Sequence, residues 1–115
     1  MLAVGEDRLR PFDACYVRMS TGFGGGVGES RQEICGALSG GIMLIGALYG
    51  RAQVGQDEGT CIELVNLYRT RFKEVLGETN CGVLRQSGFG SDGHTPCSVL
   101  VERAAGILLG VLEDV

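Results

Sequence analysis

From Ile34 to Gly50 the chain carries no charged residue, and no other stretch is so uniformly apolar. A helix hydrophobic all round has to be buried on every side, so this segment is the expected central post of the fold. A glycine cluster, Gly22-Phe23-Gly24-Gly25-Gly26, precedes it. Ser30-Arg31-Gln32-Glu33 has the S-x-x-E form of a capping box and predicts a helix running from there to about Tyr49. Gly50 is its natural stop. Gly36, Ala37, Gly40 and Gly41 put small side chains on one face. Each mid-helix glycine costs about 1 kcal/mol against alanine, so the cluster calls for another backbone close by. That backbone would come from the same chain or from the same helix of a second copy, a homo-oligomer.

The rest of the chain reads as shorter helices around this one. Residues 6–20 predict a short amphipathic helix starting near Pro11, with Ala14, Cys15, Val17 and Met19 as packing residues. Residues 57–77 give the clearest amphipathic pattern: Cys61, Val65, Tyr68, Phe72 and Val75 recur at spacings of four and three. Gly77 fits the position just past that helix. Asn80 caps a short piece from Cys81 to about Gln86, and a polar loop, 87–94, follows. A last helix begins at Thr95-Pro96, with Leu100, Ala104, Ile107, Leu108 and Val111 on its buried face. No segment alternates as a strand would. The expectation is an all-α array of about four helices around the Gly/Ala-rich apolar helix, one domain over 1–115.

Charge and motif content narrow the function. A net charge of −4 argues against a nucleic-acid surface, and Arg69, Arg71 and Lys73 read as a solvated helix face. The first residues have neither a basic leader nor an apolar core, so the reading is cytoplasmic. The apolar run at 34–50 approaches the lower length for a membrane span, but its glycines, Ser39 and the lack of a second such run argue against insertion. The glycine cluster fits neither G-x-x-x-x-G-K-[ST] nor G-x-G-x-x-G, and no strand precedes it, so it reads as a tight turn that lets backbones approach. No G-x-S-x-G elbow and no C-x-x-C-H is present.

The chemistry therefore rests on five cysteines, Cys15, Cys35, Cys61, Cys81 and Cys97. In a small chain without a secretory leader they point to redox or metal chemistry rather than a static disulfide framework. No CxxC pair exists, which weakens thioredoxin-like, zinc-ribbon and ordinary ferredoxin readings together. With Thr95 as N-cap and Pro96 behind it, Cys97 falls in a first helical turn, where unpaired N–H groups favour a thiolate; Cys81, after Asn80, has a similar place. Cys35, one turn inside its expected helix, feels that field less. Cys15 and Cys61 read as small apolar packing groups. His94, the lone histidine, stands three residues before Cys97 and is either solvated, a partner for that thiol or a metal ligand.

These residues also carry a resemblance. Gly22-Phe23-Gly24-Gly25-Gly26, then Cys35-Gly36-Ala37-Leu38-Ser39-Gly40, then isolated Cys81 and Cys97, resembles the C_GCAxxG_C_C family of small redox-active cysteine proteins, with its CGAxxG element and four characteristic cysteines. The resemblance runs from about Gly22 to the final helix. It implies a small helical protein with a redox role assigned from its cysteines, and its matching positions here are Cys35, Cys81 and Cys97. The family's first cysteine lies well upstream of the glycine cluster, in an N-terminal helix that has no counterpart in this reading. Cys15 is too close to Gly22 to align with it. Either Cys15 or Cys61 takes its place, a second subunit supplies it, or the chain as read begins after it.

Three functions from different classes follow. In the first, two of Cys35, Cys81 and Cys97 cycle between dithiol and disulfide with a redox partner. In the second, the same three, with Cys15, Cys61 or His94, hold zinc or an iron–sulfur cluster. In the third, the cysteines only pack and the Gly-rich helix serves assembly. The distances among the three cysteines separate these readings.

Overall fold

The computed structural model describes residues 2–9, 11–86, 88 and 97–113. Among these residues six α-helices follow one another: α1 (Leu2–Arg8), α2 (Ala14–Ser20), α3 (Gly36–Tyr49), α4 (Gly59–Leu76), α5 (Cys81–Gln86) and α6 (Cys97–Glu113), with one 3₁₀ turn at Thr21–Phe23. Among the described residues there is no strand, only an isolated antiparallel bridge between Ile34 and Asn80. The fold is all-α, as the periodicities imply.

The core is a three-helix contact of α3, α4 and α6. Leu38, Leu44 and Ile45 of α3 meet Leu64, Tyr68, Phe72 and Leu76 of α4 and Leu100, Ala104, Leu108 and Val111 of α6. Each leucine, isoleucine, valine or phenylalanine among them, fully buried, contributes about 1.5–3 kcal/mol. Tyr68 and Phe72 pack edge to face, with ring centroids 6.0 Å apart. The α6 face is the expected one, with Leu112 added and Ile107 half-buried. The α4 face is rotated from the expected stripe: Leu64 and Leu76 are buried, Cys61 and Val65 are half-buried, and Val75 is exposed. Leu76 continues the spacing of four from Tyr68 and Phe72, and the helix ends there because Gly77 adopts φ +90° and closes the last turn on Lys73 O at 2.8 Å.

Three expectations about the N-terminal half change. The segment 6–20 is not one helix. The chain breaks around Pro11, and Asp13 restarts it by accepting the Cys15 N–H at 2.8 Å. α2 buries none of its residues, and Ala14, Cys15 and Met19 are all exposed. α1 packs instead on α6, with Val4 buried.

The second change concerns the start of α3. Ser30 is no N-cap: its Oγ donates back to Gly26 O at 2.7 Å, and Arg31 sits at φ +61°. Gly25, Gly26, Val27, Gly28 and Glu29 all have positive φ, a short left-handed coil tied by Gly28 N–H to Gly22 O (2.8 Å), Glu29 N–H to Gly24 O (3.0 Å) and Arg31 N–H to Gly25 O (2.8 Å). A left-handed residue other than glycine costs about 1–2 kcal/mol, which is why glycines carry most of this turn. The helix begins only at Gly36, and its N-cap is Cys35.

Third, α3 is central without being buried all round. Ala47 is exposed, while Ile42, Met43 and Leu48 are half-buried. Its small-residue face is covered within the chain at two points. A Cβ on Gly36 would lie 3.2 Å from Phe23 O and 3.4 Å from Gly24 Cα, and one on Gly41 would enter the Tyr68 ring. At Gly36 the close backbone is the glycine loop, and at Gly41 the close neighbour is the Tyr68 side chain of α4. No helix among the described residues is long and apolar enough to cross a membrane.

Candidate functional site: three cysteines around one cavity

The Ile34–Asn80 bridge assembles the site. Cys35 N–H donates to Thr79 O at 2.7 Å, and Cys81 N–H donates to Glu33 O at 2.8 Å. Two cysteines distant in sequence are thereby held on adjoining segments, each at the entry to a helix. They stand diagonally across the bridge, a placement that in regular pairing separates such residues by about 7–8 Å. That lies beyond the Cα separation of about 7 Å that a disulfide accepts without backbone movement. Asn80 fixes the crossing on both sides. Its Nδ2 donates to Gln32 O at 2.7 Å, and its Oδ1 accepts the Val83 N–H at 3.2 Å, the capping role expected for α5. The glycine loop closes over this junction: a Cβ on Gly26 would lie 2.6 Å from Cys81 Cβ, so only glycine leaves room for that thiol.

Next to the junction is a cavity of about 340 Å³. Cys35, Gly36, Ala37 and Gly40 line it from α3, Cys81, Leu84 and Arg85 from α5, and Cys97, Leu100 and Val101 from α6. Ser20, Gly24 and Gly25 complete it from the N-terminal side. Cys35 and Cys81 are buried and Cys97 is exposed, so the cavity has two sulfurs in its wall and one reaching solvent. All are free thiols. Cys15 (exposed) and Cys61 (half-buried in the α4 packing) do not line it, so neither joins the three cysteines from within this chain. His94, Thr95 and Pro96 lie outside the described residues.

The N-cap position gives Cys35 a different electrostatic setting from the one expected. Burial desolvates its sulfur and pushes the pKa up; the N–H groups of Ala37 and Leu38 pull the other way without overcoming it, and negative charge on Cys81 or Cys97 would add to the rise. Tyr68, buried beside it, is raised by desolvation first and by the Cys35 charge second. Its hydroxyl donates to Ala37 O at 3.0 Å in the first turn of α3.

Both groups hold their protons more tightly folded than unfolded. Their contribution to stability is therefore complete below the ordinary thiol range, about pH 8.5, and is lost as pH rises through and beyond it. The urea midpoint should fall progressively from about pH 8 upward, in the ordinary thiol range and again above about pH 10 where tyrosine ionises. Cys35→Ala should flatten the first part of that decline. A midpoint constant over the whole range would contradict this reading of the buried thiol.

Among the described residues, no three or more His, Cys, Asp or Glu side chains are grouped closely enough to hold a metal ion. Among the described residues the three cavity cysteines thus share a space without forming a ligand set, and His94, a further ligand named in the metal reading, lies outside them.

A family model described as "Putative redox-active protein (C_GCAxxG_C_C)" matches residues 1–111. The chain belongs to the C_GCAxxG_C_C family. The match begins at residue 1, so it takes in α1 and α2 as well as the stretch from Gly22 on which the resemblance was read. Neither a curated protein nor a solved structure matches the chain. Family membership carries the coarse statement, a redox-active protein; it does not say which cysteines act or by what chemistry. Four lining residues were missed by sequence reasoning, Ser20, Leu84, Arg85 and Val101, and of these Arg85 is the charged one. The signal for it is its position four residues after Cys81, one turn along the same face of α5.

Proposed function

We propose that the protein is a thiol–disulfide redox protein in which Cys97 and Cys81 form the working pair and Cys35 is the proton-holding third thiol. The observation that supports this most directly is the division of one cavity between an exposed sulfur and two buried ones. Exchange requires a thiolate that can reach an external disulfide and a second thiol behind it. Cys97 meets the first requirement by exposure. Of the two buried thiols, Cys35 is held protonated at neutral pH and so attacks poorly, which leaves Cys81 to resolve.

The Cys97 thiolate attacks one sulfur of a disulfide R–S–S–R, forming Cys97–S–S–R and releasing RS⁻. Cys81, as thiolate, then attacks Cys97 Sγ, forming the Cys81–Cys97 disulfide and releasing the second RS⁻. The protein loses two electrons and the substrate gains them; an external dithiol reverses the steps. Resolution brings two sulfurs from α5 and α6 together at the cavity, with the glycine loop behind Cys81 as the fixed wall.

Counting thiols tests the proposal. The reduced protein has five. Exposure to one equivalent of a small neutral disulfide should remove two of them, with no R group retained on the protein. Retention of all five, or a stable R adduct as the end product, would overturn it.

A further inference from the structure

We infer that the cavity takes small disulfides with apolar arms, such as short dialkyl disulfides, and that Leu100 and Val101 form the wall that holds the arm left on Cys97. This rests on the thiol–disulfide reading above and adds the substrate class. Val101 follows Cys97 by one turn of α6, so the two share a face of that helix, and both line the cavity. Cys97 is exposed and Val101 is 47% exposed, while Leu100 between them in the chain is buried. The wall beside the attacking sulfur therefore runs from the open edge of the cavity into its depth. Leu84 of α5 and Ala37 of α3 add further apolar surface to it.

Among the described lining residues only Ser20 carries a hydroxyl and only Arg85 a charge. The Ser20 hydroxyl donates to Val17 O at 2.7 Å in its own helix, and Arg85 is engaged within the protein. A charged or strongly hydrated arm would give up its water here for few side-chain partners, whereas an alkyl arm gains by leaving water. At about 340 Å³ the space lies near the lower end of small-molecule pockets, which run from about 300 to 1,000 Å³, so it suits an arm of a few carbons. The bond changes are those of the exchange. The Cys97 thiolate attacks one sulfur and keeps that alkylthio group, and the other leaves as a thiolate. Cys81 then attacks Cys97 Sγ and releases the alkylthio group held in the cavity as the second thiolate. Leu100 and Val101 position the substrate and take no part in these bonds.

A graded series tests this: dimethyl, diethyl and di-n-propyl disulfide, with 2-hydroxyethyl disulfide (polar, neutral) and 3,3′-dithiodipropionate (anionic) as comparators. A Cys15→Ser background removes the exposed thiol outside the cavity. Rates of protein oxidation at pH 7 are divided by those of free mercaptoethanol with the same disulfide, which removes the intrinsic effect of the arm on exchange. In that background the ratio should rise by up to about fourfold for each methylene added to an arm, and both comparators should fall below the di-n-propyl compound. Val101→Thr keeps the shape of the side chain but puts a hydroxyl in the wall, and should flatten the rise. Val75→Thr, at an exposed valine of α4 outside the cavity, should leave the rise as it was. A rise that survives in Val101→Thr, an equal flattening in Val75→Thr, or a preference for the dithiodipropionate would overturn the assignment. Oxidation by all five at similar ratios overturns it and leaves the exchange reading standing; oxidation by none overturns both.

Discussion

In a Cys15→Ser background, which removes the exposed thiol outside the cavity, replacing Cys97 by serine should slow oxidation of the protein by a small neutral disulfide on the order of a hundredfold or more, because a hydroxyl does not attack a disulfide and the remaining cavity thiols are in the wall. Cys81→Ser should behave differently. Attack proceeds and stops at the mixed disulfide, so the intact mass rises by one R–S group and stays there. Cys35→Ser should complete the cycle, since Cys35 is neither the attacker nor the resolver. The three variants are read in one experiment, stopped-flow oxidation followed by intact-mass measurement. Wild-type kinetics in Cys97→Ser would show that a buried thiol attacks directly, against the order proposed. An adduct on Cys35→Ser instead of on Cys81→Ser would exchange the roles of the two buried cysteines.

The second large effect is on folding. Gly41→Ala should destabilise the protein by about 1–3 kcal/mol, although alanine is the better helix former by about 1 kcal/mol. A Cβ at Gly41 would fall 2.7 Å from Tyr68 Cζ and 2.8 Å from Tyr68 Oη. The ring cannot swing outward to solvent, being 1% exposed and packed edge to face on Phe72. Moving it also breaks the hydrogen bond to Ala37 O, worth about another 1 kcal/mol. The damage therefore reaches the first turn of α3, two residues from Cys35. Urea unfolding of Gly41→Ala, Tyr68→Leu and the double variant checks the mechanism: with the ring removed, alanine at 41 should cost little or even stabilise. Equal costs of Gly41→Ala in the two backgrounds would show that the ring is not the obstacle.

Much of the fold was legible because it rests on local signals. The uncharged run marks α3, the spacing of Tyr68 and Phe72 marks α4, Gly77 marks its end, and Asn80 caps α5 as read. The errors arose where one local pattern has two outcomes. Ser30 with Glu33 satisfies the letters of a capping box, yet the left-handed coil occupies residues 25–29 and Arg31 is again left-handed, at φ +61°, which is not helical. The Ser30 hydroxyl then bonds backward and the helix waits for Cys35. Val75 and Leu76 both fit a stripe through Tyr68 and Phe72, and only packing against α3 and α6 selects Leu76.

The site was legible in membership and not in arrangement. The motif singled out Cys35, Cys81 and Cys97, and those are the three that line the cavity. What joins Cys35 to Cys81 is a backbone bridge between segments with no strand pattern, made by main-chain groups that any residues could supply. No sequence signal announces it. The same bridge puts Cys35 at a helix entry, and burial there, rather than a place deeper in the helix, is what pushes its thiol up.

The most direct measurement is the linkage formed when the reduced protein is oxidised by one equivalent of a neutral disulfide, alkylated, digested and mapped by mass spectrometry. The expected product is a single disulfide joining the peptide with Cys81 to the peptide with Cys97, with Cys15, Cys35 and Cys61 alkylated. A disulfide that uses Cys15 or Cys61, or no intramolecular disulfide at all, would contradict a redox pair built around this cavity.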